Sequence, residues 1–215
     1  MEEKSDLQER QQTLAERLKA RAANIERRKL EEIAIILIDA SGSMADHCKS
    51  GKTKMQAVKD SVPYLQARGS YVEYGMVSFD SNAQPIQQPT TNFSAILIQL
   101  DVLQPGAATN IPSALNEGLK MFMERQVEKK RMILMSDGEN NEEKFNLDQR
   151  VTDCVKAGVV VDTIAFGDNA DVSLLQSIAT RTGGMFQKVD DPLQLEQAYQ
   201  KLNFQVRYLE HKNGQ

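Results

Sequence analysis

Cysteine and histidine are scarce in this chain, two of each among 215 residues. Cys48 and Cys154 stand far apart with no companion at ligand or redox spacing, which excludes a disulfide framework and a CxxC metal site. His47 has no second nitrogen or thiolate at zinc-site spacing, so a zinc centre is excluded with them. Positive charge is also short. Lys and Arg total 26 against 30 Asp and Glu, a formal net charge of -4 with no basic cluster, whereas a nucleic-acid binder shows a basic face. No apolar run approaches membrane-spanning length, and Met1-Glu2-Glu3-Lys4-Ser5-Asp6 has neither the basic start nor the apolar stretch of a secretory signal. These absences lead us to expect a cytoplasmic chain in a reducing compartment, with neither nucleic acid nor membrane as partner.

The length suits one well-buried domain plus an extension. The first 32 residues hold eight acidic and eight basic side chains and no Gly or Pro, which predicts an exposed, charged helix over residues 1–31. Leu7, Leu14, Leu18 and Ile25 fall on one stripe of that helix, interrupted by Gln11, Arg21 and Arg28. Two readings stay open: the stripe packs on its own domain, or it docks a partner or a second copy.

From Ile33 onward strands and helices alternate, the pattern of an α/β fold with right-handed crossovers. Strands are predicted at 33–38, 71–79, 131–136, 159–166 and 185–189, with a short edge strand near 84–87 turned back by Asp80-Ser81-Asn82. Helices are predicted at 54–66, kinked or shortened by Pro63, and at 93–100, 112–126, 147–156 and 172–181, the last closed by Gly183-Gly184. A terminal helix starts at Asp191-Pro192 with Leu195, Ala198, Leu202 and Val206 inward. This succession fits a doubly wound, Rossmann-like three-layer sandwich: a six-stranded, mostly parallel sheet of order 3-2-1-4-5-6 with one short antiparallel edge strand. The expected division is 1–31, 32–207 and a tail at 208–215.

Asp39-Ala40-Ser41-Gly42-Ser43 follows directly on the apolar run Ile33–Ile38. A parallel strand buried on both faces delivers polar groups at its carboxyl end, so one carboxylate and two hydroxyls land together on a turn. Met132-Ile133-Leu134-Met135-Ser136-Asp137-Gly138-Glu139 repeats the design, and Gly106-Ala107-Ala108-Thr109-Asn110-Ile111-Pro112 is a small-residue loop that opens a helix and presents a hydroxyl. In the order 3-2-1-4-5-6 the strands before Asp39 and Asp137 are neighbours where the winding reverses, the place where such sheets bind ligands. An all-oxygen set suits a hard cation such as Mg2+.

With these residues the chain resembles the von Willebrand factor type A domain family over roughly residues 32–207. That family's metal-ion-dependent adhesion site is an Asp-x-Ser-x-Ser turn, a Thr in a second loop and an Asp in a third, filled here by Asp39, Ser41, Ser43, Thr109 and Asp137. The one departure is Ala107-Ala108 before the Thr, where many members carry glycine. The resemblance implies a non-catalytic, metal-dependent protein-interaction module. Mg2+, with Mn2+ or Ca2+ as alternatives, would be held by those five residues, the two Asp directly or through water, and would accept an Asp or Glu carboxylate from a partner protein. It also implies the possibility of service beside an ATPase of the AAA+ class or in a chelatase-like machine. In some relatives the last helix, here from Asp191 to about Tyr208, slides when the metal gains a carboxylate.

Asp39, Ser41 and Ser43 could merely cap the first helix, but capping needs neither Thr109 nor Asp137. A Mg2+-dependent phosphohydrolase with Asp39 as nucleophile would want a second acid two residues on, where Ser41 stands. Ser50-Gly51-Lys52-Thr53 lacks the upstream Gly of a phosphate loop, position 46 being Asp. Glu139, Asn140 and Asn141 are candidates for the rim of the site, as are Asp46 and His47.

Overall fold

Glu32–Asp39 forms the central strand, β1, and all eight residues are buried. Its unbroken run of Ile, Ala and Leu covers both faces, as a strand sandwiched between two helical layers requires. The computed structural model describes residues 32–66, 72–123, 125, 127–138 and 144–212, with Glu16 alone before them, and only the backbone of 144, 145 and 203–212. The chain divides into two units, Met1–Leu30 and Glu31–Gln215, and the second carries the α/β architecture. The charged helix expected over 1–31, and the inward side chain expected of Val206, lie outside the described residues.

Around β1 stand β2 (Val72–Phe79), β3 (Ala83–Thr90), β4 (Lys129–Ser136), β5 (Val159–Phe166) and β6 (Phe186–Val189). The sheet order is β3-β2-β1-β4-β5-β6, the predicted 3-2-1-4-5-6. Only β2 and β3 pair antiparallel. The helices are α1 (Lys54–Ser61), α2 (Phe93–Asp101), α3 (Ile111–Lys120), α4 (Lys144–Lys156), α5 (Val172–Thr182) and α6 (Pro192–Lys212). Alternate residues of β1 serve the two layers. Ala34, Ile36 and Ile38 join buried side chains of α1, α2 and α6 in one cluster. On the other face, Gly118 of α3 lies so close to Leu37 and Met132 that a Cβ there would be 3.2 Å from the Leu37 side chain. Among the described residues no helix is long and apolar enough to cross a membrane.

β3 and α3 differ from expectation, each for a local reason, and α1 is shortened at Pro63 as expected. β3 is eight residues rather than four, and it contains Pro85 and Pro89, which an edge strand tolerates because one row of its N–H groups has no partner strand to bond. α1 stops at Ser61 and tightens into a 3-10 turn over Val62–Leu65, because Pro63 has no N–H to continue the helix. α3 ends at Lys120, before the expected 126, where the chain turns to bury Met121 and Phe122. Toward the amino end of β4, Arg131 ties sheet to helix: its guanidinium bonds Asp162 of β5 and donates to the Leu202 carbonyl of α6 at 3.2 Å.

The exit from α5 shows how tightly the backbone is drawn. Gly183 caps the helix in the left-handed region at φ 77°, with no atom within 4 Å of where a Cβ would go, whereas a Cβ on Gly184 would lie 2.1 Å from the Val161 carbonyl oxygen. Gly184→Ala is therefore expected to lower unfolding free energy by at least about 2 kcal/mol. Gly183→Ala should lower it by only about 1 kcal/mol, the left-handed backbone penalty. Urea denaturation of the two variants decides, and equal effects would contradict the close approach at 184.

Candidate metal centre

Parallel, in-register pairing of β1 with β4 sets Ile38 opposite Met135, so the two strands end at the same level. Asp39 and Ser136 then stand side by side, and the Ser136 hydroxyl donates to Asp39 Oδ2 at 2.6 Å. Asp39 Oδ1 accepts the Ser41 backbone N–H at 2.8 Å, which bends the chain into a 3-10 turn over Gly42–Ala45. That turn brings Ser43 Oγ to 2.8 Å from Asp137 Oδ1, where it donates, and to 3.1 Å from Ser41 Oγ. Ser41 Oγ reaches the same Asp137 oxygen at 3.5 Å.

The loop before α3 is fastened to this turn by backbone atoms. Gly106 N donates to the Ala40 carbonyl at 2.5 Å and Gly42 N to the Ala107 carbonyl at 2.9 Å, while Asn110 N ties the same loop to the Asp80 carbonyl after β2 at 2.9 Å. Because main-chain groups make these contacts, Ala107 and Ala108 serve as well as glycine would. Thr109 is buried, and a Cβ on Gly138 would lie 3.4 Å from its Oγ1 and 3.7 Å from Ser43 Oγ, so both hydroxyls face the Gly138 turn. Asp39, Ser41, Ser43, Thr109 and Asp137 are thus gathered at the carboxyl end of the sheet, where the winding reverses.

The helix-capping role does not hold. α1 begins only at Lys54, its cap is Thr53, whose hydroxyl accepts the Gln56 N–H at 3.1 Å, and Ser41 makes no side-chain cap bond. Ser50–Thr53 is a turn: Gly51, at φ 84°, donates to the Cys48 carbonyl while His47 and Thr53 bridge across it. Asp46 and His47 are exposed beside the site, and Glu139, Asn140 and Asn141 lie outside the described residues.

Two participants escaped the sequence reading. Ser136 gave no sign of a role beyond ending a strand. Lys54, the first residue of α1, sends its ammonium to Asp137 Oδ2 at 2.6 Å with a side chain only 11% exposed. A lysine at a helix start in a polar loop carries no signal that distinguishes it from its solvated neighbours.

The cluster concentrates negative charge out of water. Both carboxylates are fully buried, and the Lys54 ammonium sits against Asp137. Burial pushes the Asp39 carboxyl up from 3.8 to about 6; the bonds from Ser136 and Ser41 oppose that rise, and the charge of Asp137 adds to it. Among the described residues no group of three or more His, Cys, Asp or Glu side chains is placed to hold a metal; what the cluster offers a cation is two carboxylates and three hydroxyls. Octahedral Mg2+ at 2.0–2.1 Å from its ligands needs adjacent oxygens about 2.9 Å apart. The spacings of 2.8 and 3.1 Å about Ser43 suit that ion, and the hard oxygen set fits it chemically.

Fold and site together define a doubly wound α/β domain with a hydroxyl-and-carboxylate cluster at its switch point. The sequence profile of the von Willebrand factor type A domain matches residues 34–201, and the chain belongs to that family. Domains of this family commonly mediate protein–protein interaction and commonly bind a divalent metal. No curated protein matches the chain. Among solved structures it is similar to a von Willebrand factor type A protein from Catenulispora acidiphila, with 20% identity, TM-score 0.69, and coverage of 80% of this chain but 42% of that one. An aerotolerance-related membrane protein from Bacteroides fragilis is similar at 18% identity and TM-score 0.69 over 81% of this chain and 99% of that one. The SpRpn10 VWA domain follows at 16% identity and TM-score 0.65, over 78% and 93%. At these identities the likeness is one of fold.

The raised Asp39 carboxyl predicts a pH dependence. Its stabilising contribution is fully present below about 3.8, where the carboxyl is protonated in both folded and unfolded chains, and is lost as pH rises through about 6. In EDTA, wild type should lose stability relative to Asp39→Asn across that interval, read by thermal denaturation. Parallel profiles would contradict the assignment.

Proposed function

We propose that the domain is a non-catalytic, divalent-metal-dependent protein-interaction module. Asp39, Ser41, Ser43, Thr109 and Asp137 hold Mg2+, and the partner offers an Asp or Glu side chain. A bound divalent cation supplies an open coordination position for a carboxylate oxygen, so the ion becomes part of the interface. The residues' task is orientation. Ser136 and the Ser41 N–H fix both oxygens of Asp39, and Ser43 holds Asp137 Oδ1 toward the hydroxyls. The observation that carries this reading is the gathering at the switch point of the Ser41 and Ser43 hydroxyls about Asp137 Oδ1, with Thr109 from a second loop facing the adjoining Gly138 turn. A nucleophilic role for Asp39 is disfavoured because both of its oxygens accept hydrogen bonds and its carboxyl is fully buried. Cys48 and Cys154 both carry free thiols, which supports a reducing, cytoplasmic setting, and the highly charged sequence of 1–31 suits a subunit or adaptor of a larger assembly.

Calorimetric titration tests the metal. Wild type should bind Mg2+ and Mn2+, while Asp39→Ala keeps its far-ultraviolet circular dichroism and loses binding by at least about a hundredfold. Undiminished affinity in that variant would overturn the proposal. Capture from lysate on immobilised wild type and Asp39→Ala, each with Mg2+ and with EDTA, tests the partner: retention only by wild type with Mg2+ is expected. The same proteins held in all four conditions would remove the metal from recognition.

A further inference from the structure

We propose that Lys54 is a built-in counter-charge that makes the loaded centre net positive, and so makes metal binding depend on an anionic ligand. This role rests on the metal reading above and adds its regulation. Asp39 and Asp137 contribute two negative charges and Lys54 one positive, so the cluster alone carries a single negative charge. A divalent ion raises that to a single positive charge in a buried setting, where an uncompensated charge is unfavourable. One carboxylate from a partner restores neutrality.

The geometry lets lysine and metal coexist. Lys54 takes Asp137 Oδ2, while Oδ1 faces Ser43 and Ser41, so the two cations address opposite oxygens of one carboxylate. The lysine is held in place as well. Thr53 fixes the helix start, and the stem runs along Gly167 at the end of β5, where a Cβ would lie 3.6 Å from Cε and 3.9 Å from Nζ. Metal alone then binds weakly, and metal and carboxylate strengthen one another by the same factor. A lysine that merely propped Asp137 would act with the opposite sign, since its removal would loosen a ligand and weaken the metal.

Mn2+ titration of wild type and Lys54→Met, each in excess acetate and in chloride of equal ionic strength, separates the two. In chloride, Lys54→Met should bind Mn2+ about tenfold more tightly than wild type. Acetate should tighten Mn2+ binding severalfold in wild type and little in the variant. Equal or weaker binding by Lys54→Met, or a wild type indifferent to acetate, would overturn the counter-charge role. If Lys54→Met does not fold, Lys54→Gln takes its place and is judged by the same two criteria. A wild type that binds no Mn2+ in either buffer would remove the metal centre itself, a failure distinct from metal binding without acetate linkage.

Discussion

In-register pairing of two parallel strands brings two acidic side chains to one buried edge, and the remaining features of the site answer the charge that this creates. β1 and β4 end level with one another, so Asp39 and Asp137 cannot be separated without shifting a strand, and a one-residue shift would turn every core side chain of that strand to the other face. Desolvation and the charge of Asp137 oppose ionisation of Asp39. Ser136, the Ser41 N–H, Ser43 and Lys54 each meet one carboxylate oxygen, and together they hold the pair in a fixed geometry.

The loops around that edge are set by backbone rather than by side chains. Carbonyls of Ala40 and Ala107 and N–H groups of Gly42 and Gly106 join the first turn to the loop that carries Thr109. Such a seam fixes the position of a hydroxyl while leaving loop side chains free to vary. It also explains how Ala107 and Ala108 stand where glycine is common in the family: the contacts belong to atoms that every residue has. The same economy appears at Gly184, where a strand carbonyl occupies the space of a Cβ.

Most of the fold was legible because β1, β2, β4 and β5 announce themselves by apolar runs that are buried on both faces. The apolar run of β1, the turn that follows it and the matching Met132–Gly138 segment place the candidate site from sequence alone. Legibility fails where tertiary context overrules local pattern. β3 reads as a weak strand because its Pro and Gln residues suit an edge whose outer side needs no partners, and α3 reads as too long because Met121 and Phe122 keep an apolar rhythm past the helix end. Lys54 is hidden for a deeper reason. A lysine at a helix start is ordinarily solvated, and nothing within its own segment reports that Asp137, far along the chain, lies 2.6 Å from its ammonium.

Charge compensation links the parts. Two carboxylates, three hydroxyls and one lysine form a cluster whose balance a divalent ion would tip positive, which is a physical reason for such a surface to prefer an acidic partner. The direct test is crystallographic: anomalous diffraction from crystals grown with Mn2+. One anomalous peak is expected, bounded by Ser41, Ser43, Thr109, Asp39 and Asp137, with Lys54 still on the far oxygen of Asp137. A peak elsewhere, or Mn2+-soaked crystals with no peak among these five side chains, would contradict it.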